Sequence, residues 1–366
     1  MERKILTVGV VGAGMISDIY ISNMIHVFEN LQVKGVCARR LERARAKAEK
    51  YGIQTYTLEE MLKDPEIDLM VVLTPVDTHY GIIKSALEAG KHVYTEKTMA
   101  ETTAQAVELS RLADEKGLYL GSAPDTFLGS SWQTARKAID DGLIGEVNSF
   151  SIAVNRNNDF LTVYYPFLCL PGAGALRDYL VYYMTALAAL LGPVQQVGAF
   201  VRTPYKKRTG TIPGTAVYGK EYETPNESIV SAIVQMKNGI TGTVHQDNET
   251  MLQDQAAFVI YGTKGMLFLG NPNEFGNPVR FMSSQGDGPI HVQTLDVVGA
   301  YSENSRGLGP AEMADAILHE RKNRASKEMA CHVLDVLEAI EKSGQEGRFV
   351  NVTSECERPE AFTMKL

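Results

Sequence analysis

Short apolar runs and amphipathic segments alternate along the first third of the chain. The apolar runs have the length and composition of buried strands, and they cover residues 5–11, 33–38, 67–73 and 91–95. The segments between them repeat their apolar positions with a helical period, at residues 15–28, 44–52, 58–62 and 76–89. Alternation of buried strands with helices predicts a parallel, doubly wound sheet of the Rossmann type and an α/β fold class.

After residue 121 the strands follow one another without helices between most of them. Runs rich in β-branched residues occur at 147–154, 194–202, 229–236, 240–245 and 258–261, and Asn238-Gly239 between two of them is a hairpin signal. Helices are predicted at 127–140, 176–191, 310–321 and 327–342. We therefore predict two domains, residues 1–122 with the parallel sheet and residues 123–366 as an α+β domain with a large, mostly antiparallel sheet.

Two loops of the second domain have a composition that suits contact with a ligand or a partner. Residues 204–225 are polar and glycine-rich, and we predict a lid or an oligomer arm there. Pro171-Gly172-Ala173-Gly174 precedes the helix predicted at 176–191 and is flexible enough to approach a ligand.

Composition and charge narrow the class of protein. The 366 residues carry a formal net charge of −8, which argues against a nucleic-acid partner because phosphate binding needs a basic face. The most apolar stretch, residues 180–191, is too short to span a bilayer, and the first residues do not resemble a secretory signal. The four cysteines form no C-x-x-C pair, so we expect neither a disulfide framework nor a metal centre. These features predict a cytoplasmic enzyme.

A glycine-rich turn follows the first predicted strand. Gly12 permits a tight bend from strand to helix, and Gly14 lets the backbone approach a pyrophosphate group. Met15 and Ile16 open the helix, whose first N–H groups attract phosphate, and Ser17 is small enough for close helix packing. The turn predicts a dinucleotide site, although a glycine turn that only connects strand to helix would look similar.

The end of the second predicted strand bears on the choice of dinucleotide. An NAD site usually has an acidic residue there for the ribose 2′-hydroxyl, whereas an arginine accommodates a 2′-phosphate. This strand ends at Ala38-Arg39-Arg40. A guanidinium binds phosphate in a bidentate manner, so the pattern favours NADP over NAD. The alternative is that both arginines belong to the solvated face of the following helix.

A lysine stands at the carboxyl end of a later strand of the same sheet. In open parallel sheets ligands bind beyond the carboxyl ends of the strands, so Lys97 is placed for chemistry beside the dinucleotide. Asp178 and Tyr182 are four residues apart on a predicted helix and share one face. Tyr182 is a candidate base if a nearby positive charge lowers its pKa. Aromatic packing explains the helix equally well on spacing alone.

These motifs together resemble the Gfo/Idh/MocA oxidoreductase family over essentially the whole chain. The resemblance rests on the glycine turn, Glu96-Lys97, the segment from Gly174 to Tyr182 and the run Tyr261-Gly262-Thr263-Lys264-Gly265. It implies cofactor contacts at Thr74, Pro75, His79, Glu96 and Lys97, and catalytic roles for Lys97, Asp178 and Tyr182. It also implies a homo-oligomer. Thr98 departs from the usual proline, and Leu180-Val181 replaces a stretch that commonly contains glycine.

Polar residues at the predicted domain junction are candidates for substrate binding. They are Asp125, Asn155 and Arg156, which with Asp178 and Tyr182 would bind hydroxyl groups. We therefore predict an NAD(P)-dependent oxidoreductase acting on a secondary hydroxyl of a sugar, polyol or glycoside, with C3 of a glucoside as one candidate. The substrate would lie between the nicotinamide and the second domain's sheet. Two alternatives are a non-catalytic dinucleotide sensor and a reductase of the dihydrodiol or biliverdin type.

Overall fold

The chain divides into two units, each of which consists of more than one segment of the sequence. The computed structural model describes residues 5–170, 173–251, 255–284, 286 and 288–366. The first unit contains the chain up to residue 129 together with residues 300–331 and 362–366, and the second contains residues 130–299 and 332–361. Pro171 and Gly172 of the predicted flexible loop lie outside the described residues.

The return of residues 300–331 to the first unit differs from the predicted division after residue 122. Polar side chains of the first unit bind the backbone of the returning segment. The amide of Asn23 donates to the carbonyls of Asn304 and Arg306 at 2.8 and 2.9 Å, and the amide of Asn30 donates to that of Ala311 at 2.8 Å. Hydrogen bonds between residues about 280 positions apart leave no periodic signal, so the sequence pattern did not reveal this return.

The first unit is built on a parallel sheet, as predicted. Its strands are β1 (Leu6–Val11), β2 (Leu31–Cys37), β3 (Gln54–Tyr56), β4 (Leu69–Val72), β5 (His92–Thr95) and β6 (Leu120–Ser122). All neighbours pair in parallel in the order β3-β2-β1-β4-β5-β6. Strands β1 and β4 at the centre are almost entirely buried because helices cover both faces of such a sheet.

Helices connect these strands. They are α1 (Ile16–His26), α2 (Leu41–Tyr51), α3 (Leu58–Lys63), α4 (His79–Glu88) and α5 (Thr103–Lys116). Helix α5 and strands β3 and β6 were not predicted from the sequence. Strand order reverses between β2-β1 and β4-β5, so the carboxyl ends of β1 and β4 border the switch point where ligands bind in open α/β sheets.

The second unit is built on a nine-stranded sheet that is mostly antiparallel, also as predicted. The strands are β7 (Val147–Asn155), β8 (Val194–Arg202), β11 (Ile229–Met236), β12 (Thr241–Asp247), β13 (Gln255–Gly262), β14 (Gly265–Leu269), β15 (Arg280–Ser283), β16 (His291–Thr294) and β17 (Val350–Asn351). Among the described residues of this sheet, only the β7–β12 pair is parallel. Strands β11 and β12 form the hairpin predicted from Asn238-Gly239, with Gly239 at φ +90°.

The predicted loop 204–225 contains a short hairpin of β9 (Lys207–Thr209) and β10 (Glu221–Glu223). The remaining helices are α6 (Ser130–Asp140), α7 (Asn158–Tyr164), α8 (Val181–Leu191), α9 (Leu308–Leu318) and α10 (Lys327–Glu346). Within the described ranges no helix combines the length and the hydropathy that crossing a membrane requires.

Candidate active site

The glycine turn of the first unit has the geometry of a dinucleotide cradle. Gly12 has a φ of +116°, and a Cβ at this position would lie 2.7 Å from the carbonyl oxygen of Leu73. Only glycine adopts this backbone without strain. Around Gly14, by contrast, a Cβ would meet no described atom within 4 Å, so open space lies beside the backbone. Ser17 is fully buried, and its hydroxyl donates to the Gly14 carbonyl at 2.6 Å, which fixes the turn against α1.

The start of helix α1 is open to an anion. Met15 precedes the helix and is 77% exposed, and no described side chain caps the N–H groups that begin at Ile16. A helix N-terminus carries unsatisfied donors and a partial positive charge, both of which suit a pyrophosphate. The turn and the helix start therefore fit the phosphates of NAD(P).

The end of β2 presents two guanidinium groups to solvent. Arg39 and Arg40 are exposed, and in the described chain neither side chain forms a hydrogen bond or an ion pair. Ala38 before them is half-buried. The two arginines thus lie exposed at the strand end whose residues, in dinucleotide sites, contact the ribose 2′-hydroxyl of NAD or the 2′-phosphate of NADP.

Glu96 and Lys97 follow β5 directly, at the same edge of the sheet. The buried hydroxyl of Tyr20 donates to Glu96 Oε1 at 2.8 Å, and the backbone N–H of Lys97 donates to Glu96 Oε2 at 3.1 Å. Burial raises the pKa of Tyr20, and the carboxyl groups of Glu96 and Asp125 raise it further, so Tyr20 stays a hydroxyl donor. Glu96 therefore holds the backbone of Lys97. Lys97 itself is half-buried, and the Lys97–Thr98 peptide is cis.

His79, which the resemblance implies as a cofactor contact, is buried in the structure. The ring is fully buried, with Nδ1 2.8 Å from the Thr98 carbonyl oxygen and Nε2 2.8 Å from that of Thr74. A ligand cannot reach a ring that is enclosed on all sides. His79 instead links the turn after β4 to the residue after Lys97. In that turn, the Thr78 hydroxyl lies 2.8 Å from the Thr74 hydroxyl and donates to the Pro75 carbonyl at 2.7 Å.

Both partners of His79 are acceptors, which is unusual for a buried histidine. A neutral imidazole has one N–H and satisfies one carbonyl, whereas an imidazolium satisfies both. Burial lowers the pKa of His79, and the two carbonyls and Glu96 act in the opposite direction. Burial therefore disfavours the imidazolium, and a neutral ring donates to one of the two carbonyls.

Asp125 was predicted to bind substrate, but it is buried in the first unit. It is 1% exposed, and its Oδ2 accepts the backbone N–H of Gly309 at 2.9 Å, at the start of α9. Burial raises the pKa of Asp125 to about 6, against the lowering effect of the Gly309 N–H and of Arg306. Asp125 anchors the segment that returns to this unit, and its burial excludes a direct contact with a sugar.

In the second unit, Asp178 and Tyr182 occupy consecutive turns of one helical segment. The segment begins with a π-helical turn over Leu176–Leu180, in which the Val181 N–H reaches the Leu176 carbonyl, and then continues as α8. Isolated π turns occur frequently at functional sites. The extent of the predicted helix at 176–191 is confirmed. The π-helical geometry of its first turn was not predicted from the sequence.

Asp178 and Arg156, both predicted to bind substrate, line one pocket of the second unit. The pocket is open to solvent, and the space of about 400 Å³ between its lining residues includes that solvent. Its lining consists of Arg156, Asn158, Leu161, Thr162, Leu168, Gly174, Ala175, Asp178, Tyr179, Thr224, Asn226, Glu227 and Asn248. The Arg156 guanidinium lies 4.0 Å from the centre of the Tyr179 ring, a cation–π arrangement.

Two predicted residues do not line this pocket. Tyr182 is 8% exposed and packs 6.2 Å from the ring of Tyr179. Asn155 is the last residue of β7, where it pairs with Asp247 on one side and Gln255 on the other. Asp178 and Arg156 thus line the same pocket. Asn155, the residue before Arg156, is a strand residue of the sheet and is not part of the lining.

Sequence reasoning missed Glu227, Asn226, Asn158 and Asn248, which also line the pocket. They come from the entrance of β11, the start of α7 and the segment after β12. Polar residues next to strand ends are common in any loop, so no single one of them stood out. The signal that would have helped is the convergence of several strand ends at one edge of an antiparallel sheet.

Comparison with known proteins gives matches along most of the chain. The family model of Gfo/Idh/MocA oxidoreductases with an NAD-binding Rossmann fold matches residues 6–123, and the model of the Gfo/Idh/MocA C-terminal domain matches residues 132–268. The chain is 27% identical over 361 residues to dTDP-3,4-didehydro-2,6-dideoxy-alpha-D-glucose 3-reductase of Streptomyces violaceoruber, covering 95% of this chain and 97% of the reductase.

Other relatives match over a shorter length. The chain is 30% identical over 157 residues to the scyllo-inositol 2-dehydrogenase (NADP(+)) IolW of Bacillus subtilis, covering 42% of this chain and 44% of that protein. The chain thus spans about half the length of several curated relatives that it matches. Among solved structures, levoglucosan dehydrogenase in complex with NADH superposes with a TM-score of 0.83 at 20% identity, covering 96% and 100% of the two chains. At that identity the likeness establishes the fold.

Proposed function

The chain belongs to the Gfo/Idh/MocA oxidoreductase family, and from this premise we propose that it transfers hydride between a secondary hydroxyl group and the nicotinamide of NAD(P). The proposed substrate is a sugar, a polyol or a glycoside, with the C3 hydroxyl of a glucoside as one candidate. Relatives named as a sugar-nucleotide reductase and an inositol dehydrogenase support this substrate class.

One observation carries the proposal. Lys97 follows β5 at the same carboxyl edge of the parallel sheet at which the glycine turn follows β1. A dinucleotide bound at the turn lies along this edge, which is where open α/β sheets place their chemistry. A protein that only sensed the dinucleotide would not need a lysine whose backbone is held by Glu96 and whose neighbour is fixed by His79.

In the proposed mechanism NAD(P), when bound, supplies the hydride acceptor, and the protein manages the proton and the charge. The Lys97 ammonium stabilises the alkoxide that develops as the hydroxyl is oxidised, and such electrostatic stabilisation is often the largest catalytic contribution. Tyr182, acting as the phenolate, takes the hydroxyl proton and becomes the neutral phenol, and Asp178 orients the substrate or the tyrosine. Glu96 and His79 are positioning residues, because they hold the backbone on either side of Lys97.

We further propose that NADP is preferred over NAD. The exposed guanidinium groups of Arg39 and Arg40 at the end of β2 support this choice, since each can bind a 2′-phosphate. Mass spectrometry of nucleotide released from the purified protein would identify the dinucleotide. If none is retained, the dissociation constants of NADP and NAD should differ, and Arg39→Ala should weaken NADP binding while leaving NAD binding unchanged.

The activity itself is tested by a substrate screen with free NADP and NAD. Purified protein is incubated with cyclic polyols, free sugars and methyl glycosides, and the absorbance of reduced nicotinamide is followed. Oxidation of at least one compound with a low KM is the expected result. A bound nucleotide that cycles without release would require an added carbonyl acceptor in the same screen.

A second candidate function is reduction or oxidation of a non-sugar diol. The chain is 27% identical over 271 residues to the trans-1,2-dihydrobenzene-1,2-diol dehydrogenase of Macaca fuscata fuscata, covering 72% of this chain and 74% of that protein. An aromatic dihydrodiol in the same screen separates the two candidates. A preference for the dihydrodiol over every polyhydroxylated compound would favour the second.

We also propose a cytoplasmic homo-oligomer formed through the nine-stranded sheet. Phe200 on β8 and Ile233 on β11 are 79% and 54% exposed on one face of this sheet, and covering such side chains favours association. Light scattering of the purified protein measures the oligomeric state. Phe200→Ser should shift it toward the monomer.

A further inference from the structure

The pocket of the second unit contains a carboxyl group that the proposed mechanism does not use. Glu227 Oε1 accepts the backbone N–H of Leu176 at 3.0 Å, at the start of the helical segment that carries Asp178. Gly174 makes room for this carboxyl, because a Cβ there would lie 2.6 Å from Glu227 Oε1 and the residue has a φ of +100°. The backbone N–H of Glu227 also bonds its own carboxyl group, and among the described residues no other residue donates to Oε2. The carboxyl group keeps lone pairs with which it can accept a hydroxyl group of a ligand.

The neighbouring side chains have already used their donors on the protein. The Asn226 amide donates both hydrogens, to the carbonyls of Leu168 and Leu170 at 2.7 and 2.8 Å. The Thr224 hydroxyl donates to the Tyr205 carbonyl at 2.8 Å. What these side chains still offer is the lone pairs of their oxygens. These side chains bring acceptors to the pocket, whereas Arg156 and Asn158 in the same lining bring nitrogen donors, so the pocket suits a hydroxyl-bearing ring, which both donates and accepts hydrogen bonds.

The Thr162 hydroxyl on α7 extends the same pattern. It donates to the Asn158 carbonyl at 2.6 Å and lies 2.8 Å from the Tyr222 hydroxyl on the β9–β10 hairpin. The Thr162 oxygen is thus a further acceptor in the lining, to which a ring with several hydroxyl groups can donate.

The charges around Glu227 make its ionisation sensitive to pH near neutrality. Burial raises the pKa of Glu227 to about 7, and Glu341 acts in the same direction, while the Leu176 N–H and Arg177 lower it. Arg156 and Asp178 are the other charged groups that line the pocket. The carboxyl therefore changes from neutral to ionised over the physiological range of pH.

We propose that Glu227 is a specificity-determining residue that accepts a hydrogen bond from a second hydroxyl group of the substrate, away from the carbon that is oxidised. This inference rests on the proposed function for the identity of the substrate class. It adds that the substrate must carry at least two hydroxyl groups, because one reacts and another binds in the Glu227 pocket.

The test is calorimetric titration of the full-length protein, in the presence of NADP, with scyllo-inositol and methyl β-D-glucopyranoside at pH 6 and pH 8. Binding by the wild type should be stronger at pH 8 by up to about tenfold, because the ionised carboxylate accepts the stronger hydrogen bond. Glu227→Gln should weaken binding at pH 8 by about 10- to 100-fold, as expected for a hydrogen bond to a charged group, and should remove the dependence on pH. Glu223→Gln, an exposed carboxyl on β10, is the matched control and should match the wild type.

Monodeoxy analogues of the glucoside test the same contact without a change in the protein. One analogue should lose as much affinity for the wild type as the parent glucoside loses for Glu227→Gln, and that analogue should bind wild type and variant equally. Equal affinities of wild type and Glu227→Gln for the parent at both pH values would overturn the inference, as would failure of the wild type to bind any of these compounds. Binding that depends on Glu227 without turnover would instead refute the proposed oxidoreductase activity alone.

Discussion

The two candidate sites of this protein are built in different ways. The carboxyl edge of the first unit's sheet is formed by backbone, since the turn at Gly12 and Gly14, the start of α1 and the loop that carries Lys97 follow strands β1 and β5 directly. The pocket of the second unit is formed by side chains, and Arg156, Asp178 and Glu227 reach it from three separate segments. The first kind of site depends on backbone shape, and the second depends on convergence of distant residues.

This difference explains how much the sequence could predict. Strand periodicity and the glycine spacing located the first site, because the fold alone brings consecutive strand ends together. Short-range turn chemistry at Asn238-Gly239 predicted the hairpin. Consecutive strands without helices between most of them predicted the mostly antiparallel sheet. The α/β fold class and the kinship to the Gfo/Idh/MocA family are confirmed.

What the sequence could not predict depends on contacts between distant residues. The resemblance implied a cofactor contact for His79, and the predicted domain junction suggested a substrate contact for Asp125. Both side chains are buried, and backbone groups pair with them, the Thr74 and Thr98 carbonyls with His79 and the Gly309 N–H with Asp125. Nothing in the local pattern distinguishes a polar residue that binds a ligand from one that binds the backbone. Glu227 lines the pocket but was not predicted as a site residue, because its neighbours in sequence are ordinary loop residues.

The largest effects are expected from substitution of the two glycines of the turn. One variant should affect folding, and the other should affect only the binding of the dinucleotide. Gly12→Ala should prevent correct folding or abolish dinucleotide binding, because the new Cβ would meet the Leu73 carbonyl and the φ of +116° is unfavourable for alanine. Gly14→Ala should fold normally but weaken dinucleotide binding at least tenfold, because its Cβ would occupy the open space beside the turn. Thermal unfolding and dinucleotide titration measure the two effects.

Gly81→Ala is the control for these variants. Gly81 lies in α4, where a Cβ meets no described atom within 4 Å, so alanine should be neutral or slightly stabilising. If Gly14→Ala bound the dinucleotide as tightly as Gly81→Ala, the turn would not be the phosphate site. The conclusion that backbone groups form the candidate site of the first unit would then be wrong.

A smaller effect is expected from substitution of His79, whose ring contacts the backbone of the loop that carries Lys97 in the first unit. His79→Gln should lower kcat about 10- to 100-fold with little change in dinucleotide affinity, because a loop displaced by a fraction of an ångström misplaces Lys97. His332 is the matched control in the second unit. It is also fully buried, and its Nε2 accepts the Val194 N–H at 2.9 Å.

His332→Gln should lower the melting temperature but leave kcat close to that of the wild type. An equal loss of kcat in both variants would mean that His79 acts through general stability and not through the position of Lys97. The comparison therefore needs kcat, KM and thermal unfolding for both variants at one pH.

The smallest effect concerns the pH dependence of stability at Asp125. Its pKa of about 6 in the folded protein exceeds the ordinary value of 3.8, so the folded state binds more protons than the unfolded state between these values. Asp125 therefore costs stability as pH rises through 6. The free energy of unfolding should fall by about 1 kcal/mol between pH 5 and pH 7.5 on account of this group.

Asp125→Asn keeps an oxygen that can accept the Gly309 N–H and removes the titration. The difference in unfolding free energy between variant and wild type should shift in favour of the variant by that amount over the same pH range. Denaturant unfolding at both pH values measures it. A constant difference would show that Asp125 does not change its ionisation there, and that its burial is incomplete.

The central claim is that Lys97 performs chemistry at the edge of a dinucleotide-binding sheet, and Lys97→Met tests it most directly. The measurement is kcat with the best substrate of the screen, alongside dinucleotide affinity, for Lys97→Met and for the control Lys63→Met, an exposed lysine paired with Glu59. The account predicts a loss of kcat of at least about 1,000-fold in Lys97→Met with dinucleotide affinity retained, and no loss in the control. Turnover by Lys97→Met at close to the wild-type rate would contradict it.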